Sequence, residues 1–264
     1  MTWKDFGFCE ETTGDGSPTL RLLRTSVGDR PPESMHHSGG AAAETEQIYG
    51  PIGKLIFRQD FCRQGFSCRF LSVGLGLGYV EMMLARESLS APNSTLELLL
   101  SFESQPDLRR LFLDWVFDRR IPQSCQMTYD RVSHYVLKET PLTVAQIKKQ
   151  LQSWFSLKQW HLDGKLEAKL EEAREHSQAR FSGIFYDAFS AKTNEGLWSE
   201  VFLVEFLETF ADEFCLLSTY ACLGNLKRVL NKQNFKMIRR KGFCGKRNST
   251  FAYRGIPQSP LDEV

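Results

Sequence analysis

One short stretch constrains this chain more than any other. Phe70-Leu71-Ser72-Val73 runs directly into Gly74-Leu75-Gly76-Leu77-Gly78, and helical sequence follows from Val80 to Glu87. An apolar run that ends in spaced glycines and reopens as a helix reads as a strand turning sharply into a helix N-terminus. A second strand follows, Leu96 to Phe102, and ends at Glu103. Strand, glycine turn, helix, strand and terminal acid together make a βαβ unit.

A carboxylate at that strand end can accept hydrogen bonds from both hydroxyls of a bound ribose. The plainer alternatives are a turn packed for steric reasons and a solvated acid. The third glycine comes one residue earlier than in the dinucleotide fingerprint, so a nicotinamide or flavin cofactor fits less well. S-adenosylmethionine fits better, because it has a ribose but no pyrophosphate to seat on the helix.

The rest of the chain keeps this alternation. Gly14-Asp15-Gly16 between short strand-like runs reads as a hairpin. Residues 35–45 are a small-residue loop leading into a short helix, and residues 106–154 are mostly helical. Strands are expected near 159–162, 181–185, 214–219, 235–239 and 249–253, with helices at 166–177, 198–210 and 223–231. Such alternation predicts an α/β fold with a largely parallel sheet. The expected organisation is an N-terminal extension over 1–60 packed on a core domain over 61–255, with a frayed tail at 256–264.

Hydrophobic residues are 42% and charged residues 25% of the 264, which excludes disorder, collagen and coiled coil as the main state. No apolar run approaches the ~18 residues of a membrane span, and no charged leader or apolar signal core opens the chain. A cytoplasmic location is the expectation. The 7 cysteines are odd in number and lack CxxC spacing, which predicts buried free thiols and no metal site.

Two further stretches carry candidate chemistry. In Phe185-Tyr186-Asp187-Ala188-Phe189-Ser190-Ala191-Lys192-Thr193-Asn194, Asp187 lies just past a strand, on the rim where open α/β sheets bind ligands. It is a candidate base or positioning group for an amine, or else a loop cap. Asn194 and Trp198 read equally as a helix cap and a core anchor. From Lys227 to Arg254 there are five Lys, five Arg and no acid, interleaved with Phe235, Phe243, Phe251 and Tyr253. That pattern suits phosphate contact and base stacking by RNA. The acidic helix with Glu167, Glu171, Glu172 and Glu175 is expected to face away from RNA. His36 and His37 read as loop residues near the cofactor.

The stretch from Phe181 to Trp198 resembles the tRNA 5-methylaminomethyl-2-thiouridine methyltransferase family, the MnmC-like methyltransferases, whose loop reads close to D-A-F-S-P-K-x-N-P-x-L-W. The likeness extends to Gly14-Asp15-Gly16-Ser17-Pro18-Thr19-Leu20, to Met35-His36 through Gly40-Ala41 and Glu44, to Ser101-Phe102-Glu103, to Ser218-Thr219-Tyr220-Ala221 and to Gly242 through Arg247. It spans residues 14–254 in order and is weakest over 106–158. There are departures. Leu77 stands where a threonine is usual, Ala191 and Gly196 replace prolines, and Asn248 replaces an acid.

The resemblance implies a Rossmann-like methyltransferase fold of about seven strands with a small N-terminal β-hairpin extension. It implies S-adenosyl-L-methionine as cofactor, held by Gly74, Gly76, Gly78, Glu103, Asp163 and Glu44. It implies Asp187 as the catalytic group and N-methylation of a 5-aminomethyl group on wobble uridine in tRNA. Lys246, Arg247, Lys192, Asn194 and Trp198 are the implied substrate and RNA contacts. A monomer is expected, with a separate enzyme supplying the aminomethyl-uridine, since no flavin-dependent oxidase sequence is present in the chain. A nicotinamide-dependent oxidoreductase and a catalytically inactive RNA-binding relative are the alternatives.

Overall fold

The computed structural model describes residues 1–23, 33–58, 65–91, 95–175, 179–245 and 248–263. Its centre is a seven-stranded sheet in the order β5-β4-β3-β6-β7-β9-β8. The strands are β3 (Arg69–Val73), β4 (Leu98–Phe102), β5 (Trp160–Asp163), β6 (Phe181–Tyr186), β7 (Ala211–Thr219), β8 (Lys236–Arg240) and β9 (Ser249–Arg254). The first five pair in parallel, and β9 runs antiparallel between β7 and β8. A separate hairpin, β1 (Phe8–Thr12) with β2 (Pro18–Leu22), closes through the expected Gly14-Asp15-Gly16 turn.

Successive strand residues point to opposite faces, and the core divides accordingly. Phe70, Leu99, Phe185 and Leu216 enter one hydrophobic cluster, while Leu71, Leu100, Ile184 and Leu217 enter another. The first cluster lies under α1 (Ala41–Ile48), α2 (Gly50–Ile56), α3 (Tyr79–Ser90), α4 (Pro106–Val116), α5 (Gln123–Leu137) and α6 (Val144–Ser156). The second lies under α7 (Leu166–Glu175), α8 (Glu200–Phe210) and α9 (Gly224–Lys232). The result is an α/β/α sandwich.

The N-terminal residues are built into this core. Trp3, Phe8, Leu20 and Leu22 are buried in the first cluster. Trp3 Nε1 donates to Thr128 Oγ1 at 2.7 Å, and Arg131 pairs with Glu10 at 2.7 Å, so α5 holds the hairpin. At the other end, Ile256 and Leu261 pack against the same cluster, and Pro260–Glu263 forms a 3-10 turn. The described part of the expected frayed tail is therefore docked.

The hairpin turn also supplies the cap that α1 lacks in its own sequence. Gly40 at the N-cap has no side chain. Ser17 Oγ accepts from Ala41 N and Ala42 N at 3.0 Å, and Asp15 Oδ2 accepts from Ala43 N at 3.0 Å. Burial pushes the Asp15 carboxyl up, but hydrogen bonds from Ser17, Ala43 and Thr13 outweigh it and hold the group below its ordinary value. At the far end of α1, Arg240 Nη2 donates to Gln47 O at 2.5 Å, and Ser218 Oγ donates to Ile48 O at 2.6 Å. Both helix ends are thus satisfied by distant parts of the chain.

Cys68, Cys125 and Cys215 are buried free thiols, as the sequence predicts. Cys9 and Cys222 are half-buried and Cys244 is exposed. Cys62 lies outside the described residues.

Candidate active site

The chain moves from β3 to β4 and β5 on one side, then crosses back to β6 on the other. Beyond the C-terminal ends of β3, β4 and β6 lies a cleft of about 360 Å³. Ligands bind open α/β sheets at this reversal point, and the volume falls in the range of small-molecule sites.

One end of the cleft is made by the βαβ unit. Val73, Gly74, Leu75, Gly76, Phe102 and Glu103 line it. Gly74 N and Leu75 N both donate to Phe102 O at 3.0 Å, which folds the turn over the end of β4. Gly74 has φ +92, and a Cβ there would stand 2.5 Å from Asp187 O. The turn thus packs backbone to backbone against the end of β6.

Glu103 is buried and uses both carboxylate oxygens on backbone donors. Oε2 accepts from Gly76 N at 3.0 Å and Oε1 from Gln105 N at 2.9 Å. Burial raises its pKa against the pull of those donors and of nearby Arg109. Each oxygen retains a second lone pair for a ligand hydroxyl.

Two expected cofactor residues sit differently from their neighbours. Gly78 caps α3 and does not line the cleft. A Cβ there would collide with the Phe112 ring, so this glycine serves helix packing. The Asp163 carboxylate turns to Gly164 N at 2.8 Å and to Lys169 at 3.8 Å. The adjoining Gly164, Lys165, Leu166 and Glu167 line the cleft in its place. Glu167 therefore faces the ligand space.

The other end of the cleft is assembled from distant segments. Asp187, directly past β6, receives a hydrogen bond from Tyr49 Oη at 2.6 Å. Tyr220 also lines this end and donates to Ala188 O at 2.9 Å. Glu44, on α1, is buried and accepts from His37 N at 2.6 Å. Glu33 accepts from Ser190 N and Ser190 Oγ, each at 3.1 Å, and from Thr193 Oγ1. That contact straps residues 33–37 across the loop after β6. Met35 lies over the turn, its Sδ being 3.3 Å from where a Gly76 Cβ would stand. His36 is held by Thr19 Oγ1 at 3.0 Å, and its ring packs edge-on against Tyr79.

Of the expected substrate contacts, Asn194 lines the cleft. Lys192 is exposed outside it. Trp198 is buried, donates to Phe189 O at 2.7 Å and packs against Tyr186, so it is the core anchor of its two readings. Lys246 and Arg247 lie outside the described residues.

The basic run is partly structural. Arg254 donates to Asp212 O, Ala211 O and Gln233 O, and Arg240 to the end of α1. Arg228 pairs with Glu200, and Lys236 donates to Pro257 O. Phe235, Phe243, Phe251 and Tyr253 are all buried, so the expected base-stacking aromatics belong to the core. The charges lie mainly on the edge strand β8, whereas Phe251 and Tyr253 lie on the interior strand β9, which is buried along most of its length.

Sequence reasoning missed Tyr49 and Glu33. Neither lies in a motif with a chemical signature, and each acts on a residue more than a hundred positions away.

Residues 128–255 match a family model described as S-adenosyl-L-methionine-dependent methyltransferase. The structure is similar to a crystal structure of MNMC2 from Aquifex aeolicus, with TM-score 0.61 and 21% identity over 98% of this chain and 74% of that one. It is also similar to human methyltransferase-like protein 13 in complex with SAH, with TM-score 0.48 and 15% identity over 80% of this chain and 85% of that one. Fold and family model define the chain as a Rossmann-like S-adenosyl-L-methionine-dependent methyltransferase. It shares its fold with the MNMC2 structure. The nicotinamide alternative is set aside on the same grounds.

The cleft fits S-adenosyl-L-methionine. Gly74 and Gly76 bring backbone to the wall of the cleft, and Glu103 offers acceptors to a ribose. The carboxylates of Glu33, Glu44, Glu103, Glu167 and Asp187 surround the space, with Lys165 as the lysine among the lining residues. Such a lining favours a cationic sulfonium. Among the described residues no group of His, Cys, Asp or Glu could hold a metal ion, and no helix is long and apolar enough to cross a membrane.

Proposed function

We propose that this chain methylates the primary amine of a 5-aminomethyl group on wobble uridine in tRNA. The observation that carries the reading is Asp187. Its carboxylate is held by Tyr49 at 2.6 Å in the same cleft that presents Glu103 and the glycine turn. Motif resemblance across residues 14–254 supports the choice of acceptor.

When bound, S-adenosylmethionine supplies an activated methyl group on a sulfonium. The chain's own task is then mostly orientation. Gly74, Gly76 and Glu103 fix the cofactor end. Asp187 takes the ammonium proton or steers the amine lone pair. The acidic lining draws an alkylammonium toward that end. The strap from Glu33 to His37 covers the cleft and excludes water. Lys227, Lys232, Arg239 and Lys241, with Lys192, Lys246 and Arg247, are the residues we assign to phosphate contact.

The test is methyl transfer in vitro. Purified protein is incubated with S-adenosylmethionine and tRNA bearing 5-aminomethyl-uridine, and the digested nucleosides are analysed by mass spectrometry. The methylated nucleoside is expected from wild type. Asp187→Asn is expected to lose about a hundredfold in single-turnover rate while cofactor affinity is retained. Wild-type protein that binds the cofactor and leaves this nucleoside unchanged would sink the proposal.

A further inference from the structure

Tyr49 is a buried phenol outside every motif, and its hydroxyl meets the one carboxylate the proposed reaction depends on. We infer that Tyr49 is a positioning residue, holding Asp187 in one rotamer and in its ionised form for the accepting amine. The inference rests on the reading that Asp187 faces the acceptor.

The geometry is specific. Tyr49 ends α1 and opens α2, and its ring packs edge-on against Phe185 of β6 at 6.1 Å. The residue before it is pinned from the sheet. Ile48 O accepts from Ser218 Oγ at 2.6 Å and from Arg240 Nη1 at 3.4 Å. Sheet, helix end and phenol therefore form a continuous support that reaches Asp187 from behind.

The surroundings explain why such support is needed. Among the described residues, Glu44 on α1, Glu33, His36 and His37 on the strap, Tyr220 after β7 and Tyr186 on β6 are titratable groups around this end. Glu44 and Glu33 are carboxylates, and a like charge disfavours a further ionised carboxylate. A donated hydrogen bond favours the charged form. Tyr49 remains able to donate, because burial and the charge of Asp187 hold its own pKa well above the usual phenol value. Loss of the hydroxyl should therefore raise the proton affinity of Asp187 and free its rotamer.

The experiment compares wild type with Tyr49→Phe, which keeps the ring and its packing on Phe185. Asp187 is followed in protein labelled with 13C-carboxyl aspartate, its resonance assigned by its absence in Asp187→Asn. In Tyr49→Phe the titration midpoint of Asp187 is expected to rise by about one pH unit. The acid limb of the single-turnover pH profile should move with it, with about a tenfold loss of rate below the limb. An unchanged midpoint overturns the inference. An independent arm leaves Tyr49 in place. Asp187→Asn should move the Tyr49 hydroxyl proton resonance upfield, and an unmoved resonance also overturns it. Neither resonance measurement needs the RNA substrate. If wild type proves inactive on aminomethyl-uridine, the function fails and the pairing is still judged.

Discussion

The Glu103 carboxylate reaches back across the glycine turn and accepts a hydrogen bond from Gly76 N at 3.0 Å. One side chain thus fixes the loop's shape and offers acceptors to a ribose. Glu103→Ala removes both roles. We predict a loss of S-adenosylmethionine affinity of about 1.5–3 kcal/mol, the range for hydrogen bonds to a charged group. Isothermal calorimetry checks it, and unchanged affinity removes Glu103 from the site.

Gly74 and Gly196 make a controlled pair. Gly74 has φ +92 and its Cβ would press on Asp187 O, whereas a Cβ at Gly196 meets nothing nearer than Asn194 Oδ1 at 3.9 Å. Gly74→Ala should destabilise the protein by about 1–3 kcal/mol, and Gly196→Ala by less than about 0.5 kcal/mol. Chemical denaturation of both variants reads the difference directly. Equal midpoints would show that the turn can relax.

Glu81, in the first turn of α3, is fully buried, and burial pushes its pKa up to about 7. Ser101 Oγ donates to its carboxylate at 2.7 Å, and Trp160 Nε1 donates to Ser101. In the unfolded chain the same group ionises near its ordinary value of 4.5. The folded state therefore holds more protons than the unfolded state between pH 4.5 and 7, and stability falls as pH rises through that window. Glu81→Gln should remove that slope, which amounts to about 3 kcal/mol across the window. Denaturation curves collected at intervals across it test this, and identical pH dependence in the two proteins refutes the assignment.

The basic segment holds structural cations, and the proposed function assigns others to phosphate contact. Lys246→Ala with Arg247→Ala should weaken tRNA binding and flatten its salt dependence by about one to two units. Arg254→Ala should leave that slope alone. Its guanidinium holds three backbone carbonyls and stacks 4.8 Å from the Phe235 ring. Its loss should cost about 2 kcal/mol of stability. Log affinity against log salt, with a melting curve for each variant, separates the two roles.

Periodicity and punctuation made most of this architecture legible. The run ending at Val73, the glycines and Glu103 specify a βαβ unit locally, and the structure contains it. The helix α2 was not legible. Gly50-Pro51-Ile52-Gly53 has the composition of a loop, yet Pro51 sits in the first turn, where its missing N–H costs nothing, and burial of Ile52, Leu55 and Ile56 overrides the glycines. The basic aromatic run was legible as a pattern, but burial of its rings is decided by where β9 and β8 dock. Tyr49 was illegible because its meaning lies in a partner brought close only by tertiary folding.

The two ends of the cleft differ in how their residues are drawn from the chain. The cofactor end comes largely from one local unit, residues 73–103, whereas the end around Asp187 joins residues 33–49 to residues 187–220. Loop-closure entropy makes contacts between such remote segments the later and more easily lost ones. A partial opening that frees the Glu33 strap would therefore separate the two capacities of the molecule. Mild denaturant should abolish methyl transfer at a concentration where the nucleoside is still held, leaving a folded protein that binds its methyl donor and has nowhere to deliver it.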